Sequence, residues 1–160
     1  MSIDYLATIN PDERDKYISF EEKGNKYTVY DKTDYTSVTT WIHSLFENFN
    51  SDRVIDNMMK SKNWSNNKYF GKTKEEIKAI WDCNRDTAAS AGTKLHYDIE
   101  CKYNGLEVEN DSIEYNHFLQ FYQDYSDSLT PYRTEMLVFH EELKLSGSID
   151  MLFKLKDGTY

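Results

Sequence analysis

The sequence predicts an α+β fold, a small mixed sheet flanked by helices. Two β-prone runs flank a glycine turn near the N-terminus, helical periodicity dominates the middle, and two β-prone runs follow Pro131. Hydrophobic residues make up 39% of the 160 residues, enough for one domain with a modest core. We predict a single domain over 1–160, with a hairpin extension at 1–36, a helical part at 37–130 and core strands at 131–160.

The first elements are a hairpin and an amphipathic helix. Residues 17–20 and 27–30 are β-prone and flank Lys23-Gly24-Asn25, which predicts a small hairpin. Thr36 or Ser37 then caps a helix. Apolar residues recur there at helical spacing and form one face: Val38, Trp41, Ile42, Leu45, Phe46 and Phe49.

Capping signals define the remaining helices. A short helix is expected at 54–62, followed by an Asn- and Gly-rich loop. Residues 73–76 form a capping box whose helix should loosen at 88–92, continue or restart at Thr93, and end near Asn104-Gly105. Asp111 to Glu114 is a second box before a helix at 113–125. Strands at 132–139 and 143–155 should pair through the turn at 140–142, with a further turn at Asp157-Gly158.

Composition excludes several classes of protein. No apolar run is long enough to span a membrane, and the N-terminus has no secretory signal. Cys83 and Cys101 are expected to be free thiols, which places the protein inside the cell in a reducing compartment (cytoplasm, or nucleus or viral factory). The net charge of −9 argues against a general DNA-coating protein. Residues 53–78 nevertheless hold seven basic residues against three acids, a net +4, which leaves −13 for the rest.

Four acidic or imidazole side chains are candidates for metal chemistry. His96 and Glu100 are four residues apart and therefore share a helix face, although an ordinary surface pair has the same spacing. Asp150 lies within an apolar strand, where a carboxylate needs a partner, a cation or exposure at a strand edge. Glu135 opens the neighbouring strand, where plain solvent exposure is the simpler interpretation. Gly92 and the alanines before it are expected to allow close packing against the helix.

In this order, GTxxHxxxE at 92–100, the Glu135 strand, and Gly147-Ser148-Ile149-Asp150 before a DG turn resemble the RecB-like PD-(D/E)xK nucleases. The likeness covers residues 37–160 and is nearest to the mitochondrial genome maintenance exonuclease-like and viral or phage members. It implies a restriction-endonuclease-like α/β core, incomplete at the C-terminus. It also implies a Mg²⁺- or Mn²⁺-dependent DNA exonuclease or endonuclease of replication, repair or recombination.

The resemblance also assigns roles to residues. His96 and Asp150 would bind the metal, Asp150 and Glu135 would be catalytic, and Glu100, Gly92 and Thr93 would line the site. No iron–sulfur cluster is expected, because two cysteines do not supply four ligands.

One part of the family pattern has no match. Neither Lys154 nor Lys156 follows an acid by two positions, so the (D/E)xK strand is expected just beyond Tyr160. The 160-residue chain should then be inactive and marginally stable or self-associating, and an extended chain active and monomeric. The alternatives are a non-catalytic DNA-binding or accessory module with the nuclease fold, and an interaction domain with a chance motif.

Cations alternate with aromatic residues along one loop, which suits single-stranded DNA or DNA ends. A solvated loop whose aromatic rings are tucked into the core fits the pattern equally well. The predicted DNA-binding residues are Lys60, Lys62, Trp64, Lys68, Tyr69 and Lys72, with Phe70 among them in the loop.

Overall fold

A computed structural model describes residues 2–160 and has the predicted α+β architecture. Contacts divide the chain into two compact units. One is formed by the chain up to Leu45 together with Lys94–Tyr160, and the other by Phe46–Thr93. The elements in chain order are α1 (Tyr5–Ile9), β1 (Ile18–Glu21), β2 (Lys26–Val29), β3 (Thr36–Ser37), α2 (Val38–Ser44), α3 (Ser51–Met59), α4 (Lys74–Tyr103), α5 (Ile113–Tyr125), β4 (Leu129–His140) and β5 (Leu145–Leu155).

The N-terminal hairpin is confirmed. Strands β1 and β2 pair antiparallel, with Ile18 opposite Val29. The turn uses Gly24 and Asn25, both with positive φ, which are residues that tolerate the left-handed conformation. Ile18, Val29 and Phe139 belong to one buried cluster, so the hairpin packs its inner face against β4.

The larger sheet has the order β3-β5-β4. Strands β4 and β5 pair antiparallel across the 140–145 turn, as the sequence predicted. Strand β3 adds a short parallel pairing, with Thr36 opposite Leu145, which the sequence did not indicate. Ser37 still caps α2, because its hydroxyl accepts the Thr40 N–H at 3.0 Å. This arrangement makes β5 the central strand only over its first residues.

The predicted long apolar face after Ser37 is wrong in length. Helix α2 ends at Ser44, whose hydroxyl donates back to the Trp41 carbonyl, so Leu45, Phe46 and Phe49 lie outside it. Asn50 then caps α3 by accepting the Arg53 N–H at 2.9 Å. Two capping signals so close in sequence leave no room for one continuous helix. Helix α3 accordingly lies three residues earlier than expected.

Helix α4 is continuous, so the expected loosening at 88–92 is wrong. Its capping box is complete: the Thr73 N–H donates to the Glu76 carboxylate at 2.7 Å, and the Glu76 N–H donates to the Thr73 hydroxyl at 3.2 Å. Residues 82–91 are all exposed, yet alanine is the strongest helix former and Arg85 pairs with Asp82 and Asp86. Local propensity therefore holds this stretch helical.

Two smaller elements differ from the prediction. Helix α5 spans the expected residues, but its cap is Ser112, which accepts the Tyr115 N–H at 3.2 Å; the Asp111–Glu114 box is not formed. Helix α1 was not predicted, because its apolar pattern is too short to give a periodic signal. It docks through the Leu6 N–H, which donates to the buried Asn104 side chain at 2.8 Å.

The unit at Phe46–Thr93 has its own small core. Ile55 of α3 and Ile77 of α4 are fully buried. Lys74 ties the two helices together, with its ammonium group 2.8 Å from Asp56 and 3.2 Å from Asp52. Among the helices of residues 2–160, none combines the length and apolar composition that crossing a bilayer requires.

Candidate metal centre

His96, Glu135 and Asp150 meet at one place on the unit that includes β4 and β5. Each offers one ligand atom, and these three atoms lie within 4.8 Å of one another. The His96 Nδ1 is 3.7 Å from an Asp150 carboxylate oxygen. One imidazole nitrogen and two carboxylates are donors that Mn²⁺, Mg²⁺ and Zn²⁺ accept. The expected approach of His96 and Asp150, with Glu135 on the neighbouring strand, is therefore found; their role as ligands stays a prediction.

The sheet places the two carboxylates side by side. Thr134 pairs with Met151 and Met136 with Ile149, so Glu135 and Asp150 occupy the intervening position of the β4–β5 ladder. Cross-strand partners of an antiparallel pair lie on the same face of a sheet. The β4 strand is irregular here, because Glu135 has a φ of +46°. Such a conformation is uncommon for a residue with a side chain and recurs at functional sites.

Ser148 orients Glu135. Its hydroxyl donates to a Glu135 carboxylate oxygen at 2.9 Å. The sequence indicated Ser148 only as part of the motif from Gly147 to Asp150, and its role as a donor was missed. A hydroxyl two residues before an aspartate in the same strand shares its face, which is the signal that would have indicated it.

Two buried polar residues fix the end of helix α4 that follows His96. Asp98 is buried, and Lys94 and Asn110 both donate to its carboxylate. Asn104 is fully buried, accepts the Leu6 N–H, and donates to the Thr134 hydroxyl at 3.0 Å. Because buried polar groups are costly without partners, these contacts specify one rotational setting of the helix. His96 lies one half-turn before Asp98, so the direction of its side chain follows from the setting that these two anchors fix.

The acids of the cluster are not neutralised by lysine or arginine. Across residues 2–160, no lysine or arginine lies within 4 Å of the Glu135 or Asp150 carboxylate, and the nearby nitrogen is that of the His96 imidazole, 3.7 Å from Asp150. Their negative charge reaches Tyr27: burial, and then the charges of Glu135 and Asp150, raise the pKa of its phenol. Two adjacent carboxylates without a basic partner favour the binding of a cation.

Glu100 lies beside this cluster, in a cavity of about 330 Å³ that Glu135 also lines. Burial raises the pKa of the Glu100 carboxyl, and the charges of Glu135 and Asp4 raise it further, against a hydrogen bond from Thr134. Arg133 lines the same cavity and is buried. The sequence placed Glu100 at the site but did not indicate Arg133 or Asp4, which carry no motif.

Gly92 and Thr93 lie on α4 in the Phe46–Thr93 unit, and their site-lining role stays a prediction. The packing argument for Gly92 is wrong. Apart from its chain neighbours and the backbone of its own helix, a Cβ atom at this position would meet no heavy atom of the described chain within 4 Å, so no other segment packs closely there. The glycine at this position therefore does not serve to make room for another segment.

The six predicted DNA-binding residues all belong to the Phe46–Thr93 unit. Lys60, Lys62, Lys68 and Lys72 are exposed, whereas Trp64 and Tyr69 are half-buried. The cations therefore face solvent and two of the aromatic rings are used within the unit, as the solvated-loop alternative describes, while DNA binding by these residues stays a prediction.

No family model, no curated protein and no solved structure matches this chain.

Proposed function

We propose that the protein is a divalent-metal-dependent nuclease that hydrolyses phosphodiester bonds in DNA, with Mg²⁺ or Mn²⁺ held by His96, Glu135 and Asp150. The observation that carries the proposal is the three-donor cluster, assembled from a helix and two strands far apart in sequence. Its members are also the residues that the nuclease resemblance selects as ligands or catalytic acids. Exposure of all three leaves the cluster open to a large substrate.

A divalent cation at this place would supply positive charge for the scissile phosphate and lower the pKa of a bound water. The residues have separate tasks. The His96 imidazole gives a neutral nitrogen donor from the helix, while Asp150 and Glu135 give anionic oxygens from the sheet. Ser148 holds one Glu135 oxygen by its hydrogen bond and so limits the rotation of that carboxylate.

A second candidate is a DNA-binding or accessory module that keeps the site without strong catalysis. The observation that favours it is electrostatic: within residues 2–160 no lysine or arginine is ion-paired with Glu135 or Asp150. A lysine near the metal is the group that would compensate developing negative charge on the phosphate.

The test is Mn²⁺ binding to the 160-residue chain, measured by calorimetry. We expect one site, with His96→Ala and Asp150→Asn each weakening binding at least ~10-fold, the effect typical of losing a metal ligand or its support. Glu142→Gln removes an exposed acid of the β4–β5 turn and is the matched control, which should bind as the parent does. Equal affinity of the parent and Asp150→Asn would reject the metal centre.

Cleavage of fluorescent DNA is the second measurement. We expect any cleavage to require Mg²⁺ or Mn²⁺, and Asp150→Asn should abolish it while leaving DNA binding intact. Undiminished cleavage by that variant would place the metal elsewhere.

A further inference from the structure

The loop between α3 and α4 presents one aromatic ring and a set of free cations in the Phe46–Thr93 unit. Residues 61–73 contain three lysines and no acid, in a chain whose net charge is −9. Lys60, Lys62, Lys68 and Lys72 form no ion pair with any residue of the described chain, whereas Lys74, Lys78 and Arg85 are all paired with aspartates. The unpaired lysines are therefore available to an external anion.

Two of the three aromatic residues in this loop are engaged within the unit. The Tyr69 hydroxyl accepts the Trp81 indole N–H at 2.9 Å, and this bond together with nearby Lys68 lowers the Tyr69 pKa. Trp64 is half-buried and packs edge-on against Phe70, with ring centroids 5.9 Å apart. Trp64 and Tyr69 are both half-buried, whereas Phe70, the other partner of the edge-to-face pair, is 57% exposed.

Phe70 is the exposed one, because a tight turn holds it outward. The Lys72 N–H donates to the Tyr69 carbonyl at 3.0 Å, which puts Phe70 and Gly71 at the two central positions of the turn. Gly71 has a φ of +83°, which glycine adopts without a steric penalty. The Phe70 N–H is itself held by the Asn67 carbonyl at 2.9 Å. The ring at this tip is 57% exposed.

We propose that Phe70 is the base-stacking residue of a single-stranded DNA surface, with Lys62, Lys68 and Lys72 pairing with the flanking phosphates. An exposed aromatic ring among unpaired cations, without acids, is the composition that binds single strands regardless of sequence. A duplex keeps its bases stacked inside and offers no free base face to a single ring. The inference rests on the proposed nuclease function for its ligand, and it names the position where the substrate strand is held.

The experiment measures anisotropy of a fluorescein-labelled oligo(dT) with the 160-residue chain in EDTA, so that no metal is required. Phe70→Ala and Phe70→Leu should weaken binding about 5- to 150-fold, the range for losing one stacked base. Phe70→Leu keeps the apolar bulk, which separates stacking from folding. Phe70→Trp should bind at least as well as the parent. Phe46→Ala removes an even more exposed ring of the same unit, 70% against 57% for Phe70, and as the control it should change nothing.

Salt dependence tests the cations independently. Lys72→Gln should reduce the slope of log affinity against log salt by about 0.7, the contribution of one phosphate contact to a single strand. Lys23→Gln, in the β1–β2 turn of the other unit, should leave the slope unchanged. The inference would be overturned if Phe70→Leu bound oligo(dT) as the parent does. It would also be overturned if the chain bound a DNA duplex more tightly than oligo(dT) and substitution of Phe70 did not change the affinity for the duplex.

The two proposals can fail separately. A chain that binds oligo(dT) through Phe70 but takes up no Mn²⁺ would keep this inference and reject the metal-dependent nuclease. If Mn²⁺ binding depended on Asp150 but oligo(dT) binding were unchanged by substitution of Phe70, the metal centre would be kept and the Phe70 inference rejected.

Discussion

Arg133 and Glu135 are two residues apart on β4, yet their charges meet opposite environments. Arg133 is buried, and its guanidinium donates to both Asp15 carboxylate oxygens, at 2.7 and 3.1 Å, and to the Asn10 carbonyl at 3.2 Å. Glu135 is exposed, and the acid beside it, Asp150, adds to its charge instead of offsetting it. In the first cluster Asp15 balances the charge of Arg133 and only the buried Nε lacks a partner, whereas the second cluster has room for a partner from outside.

This difference separates charges that specify the fold from charges that can serve a ligand. A buried ion pair is expensive to break, because removing one partner leaves the other charge without compensation. An exposed pair contributes little to stability, so its residues can be retained for function at small cost to the fold. Stability measurements on matched variants of the two clusters test the distinction directly.

The largest effect is expected for Arg133→Met. Methionine fills part of the volume of the arginine side chain. It removes the guanidinium N–H groups that donate to the Asp15 carboxylate and to the Asn10 carbonyl. We expect a loss of about 2–3 kcal/mol in the free energy of unfolding, below the 3–5 kcal/mol of a fully buried pair. The reduction follows from the 36% exposure of the Asp15 side chain. Urea denaturation measures it.

Asp150→Asn is the matched variant in the other cluster. It should change the same free energy by less than about 0.5 kcal/mol, as surface substitutions do. A loss for Asp150→Asn as large as that for Arg133→Met would mean that both clusters are structural.

The next effect is the pH dependence of the Asp15 pair. Burial alone would raise the pKa of Asp15, but hydrogen bonds from Arg133 and from the Asp12 backbone hold it below the ordinary 3.8. A lowered carboxyl pKa contributes stability that is present above 3.8 and is lost as pH falls through the lower folded value. Asp15→Asn should therefore be less stable than the parent near neutral pH. The gap should narrow on acidification, measured by urea midpoints from about pH 7 to about pH 3. A constant gap would contradict the linkage.

The smallest effect concerns the backbone at Glu135. A φ of +46° disfavours any residue with a Cβ. Glu135→Gly should accordingly be more stable than Glu135→Ala by about 1 kcal/mol, the reverse of the usual order in a strand. Both variants lose the carboxylate and should bind Mn²⁺ equally weakly. Thermal melts of the two provide the comparison, and a more stable Glu135→Ala would show that the conformation carries no strain.

Local signals in the sequence predicted much of this fold. The Lys23-Gly24-Asn25 turn, the Thr73 capping box and the β4–β5 pairing all depend on residues close together in the chain, where turn and cap chemistry decides the structure. The spatial approach of His96 to Asp150 came from the nuclease resemblance, because spacing alone does not relate a helix to a distant strand.

The features that were missed depend on long-range contacts. Arg133 looks like an ordinary strand residue until Asp15, 118 positions earlier, is placed beside it. The positive φ of Glu135 has no sequence signal, since glycine is the residue that usually marks such a position. The predicted loosening of α4 at 88–92 assumed that a run of small residues interrupts a helix. Most of these residues are alanine, which favours the helix, and α4 is continuous.

The anchors of α4 have a consequence for how the site tolerates change. Each residue added to an α-helix turns everything beyond it by about 100°. Asp98 is held by Asn110 and Asn104 by Leu6, so the helix C-terminal to the imidazole cannot rotate to compensate. One residue inserted next to Tyr97 would swing His96 about 100° away from Asp150, with every ligand side chain still present. The centre therefore requires that His96 keep one angle around the helix axis relative to the anchored residues. Substitutions in the helix preserve this angle, whereas an inserted residue changes it.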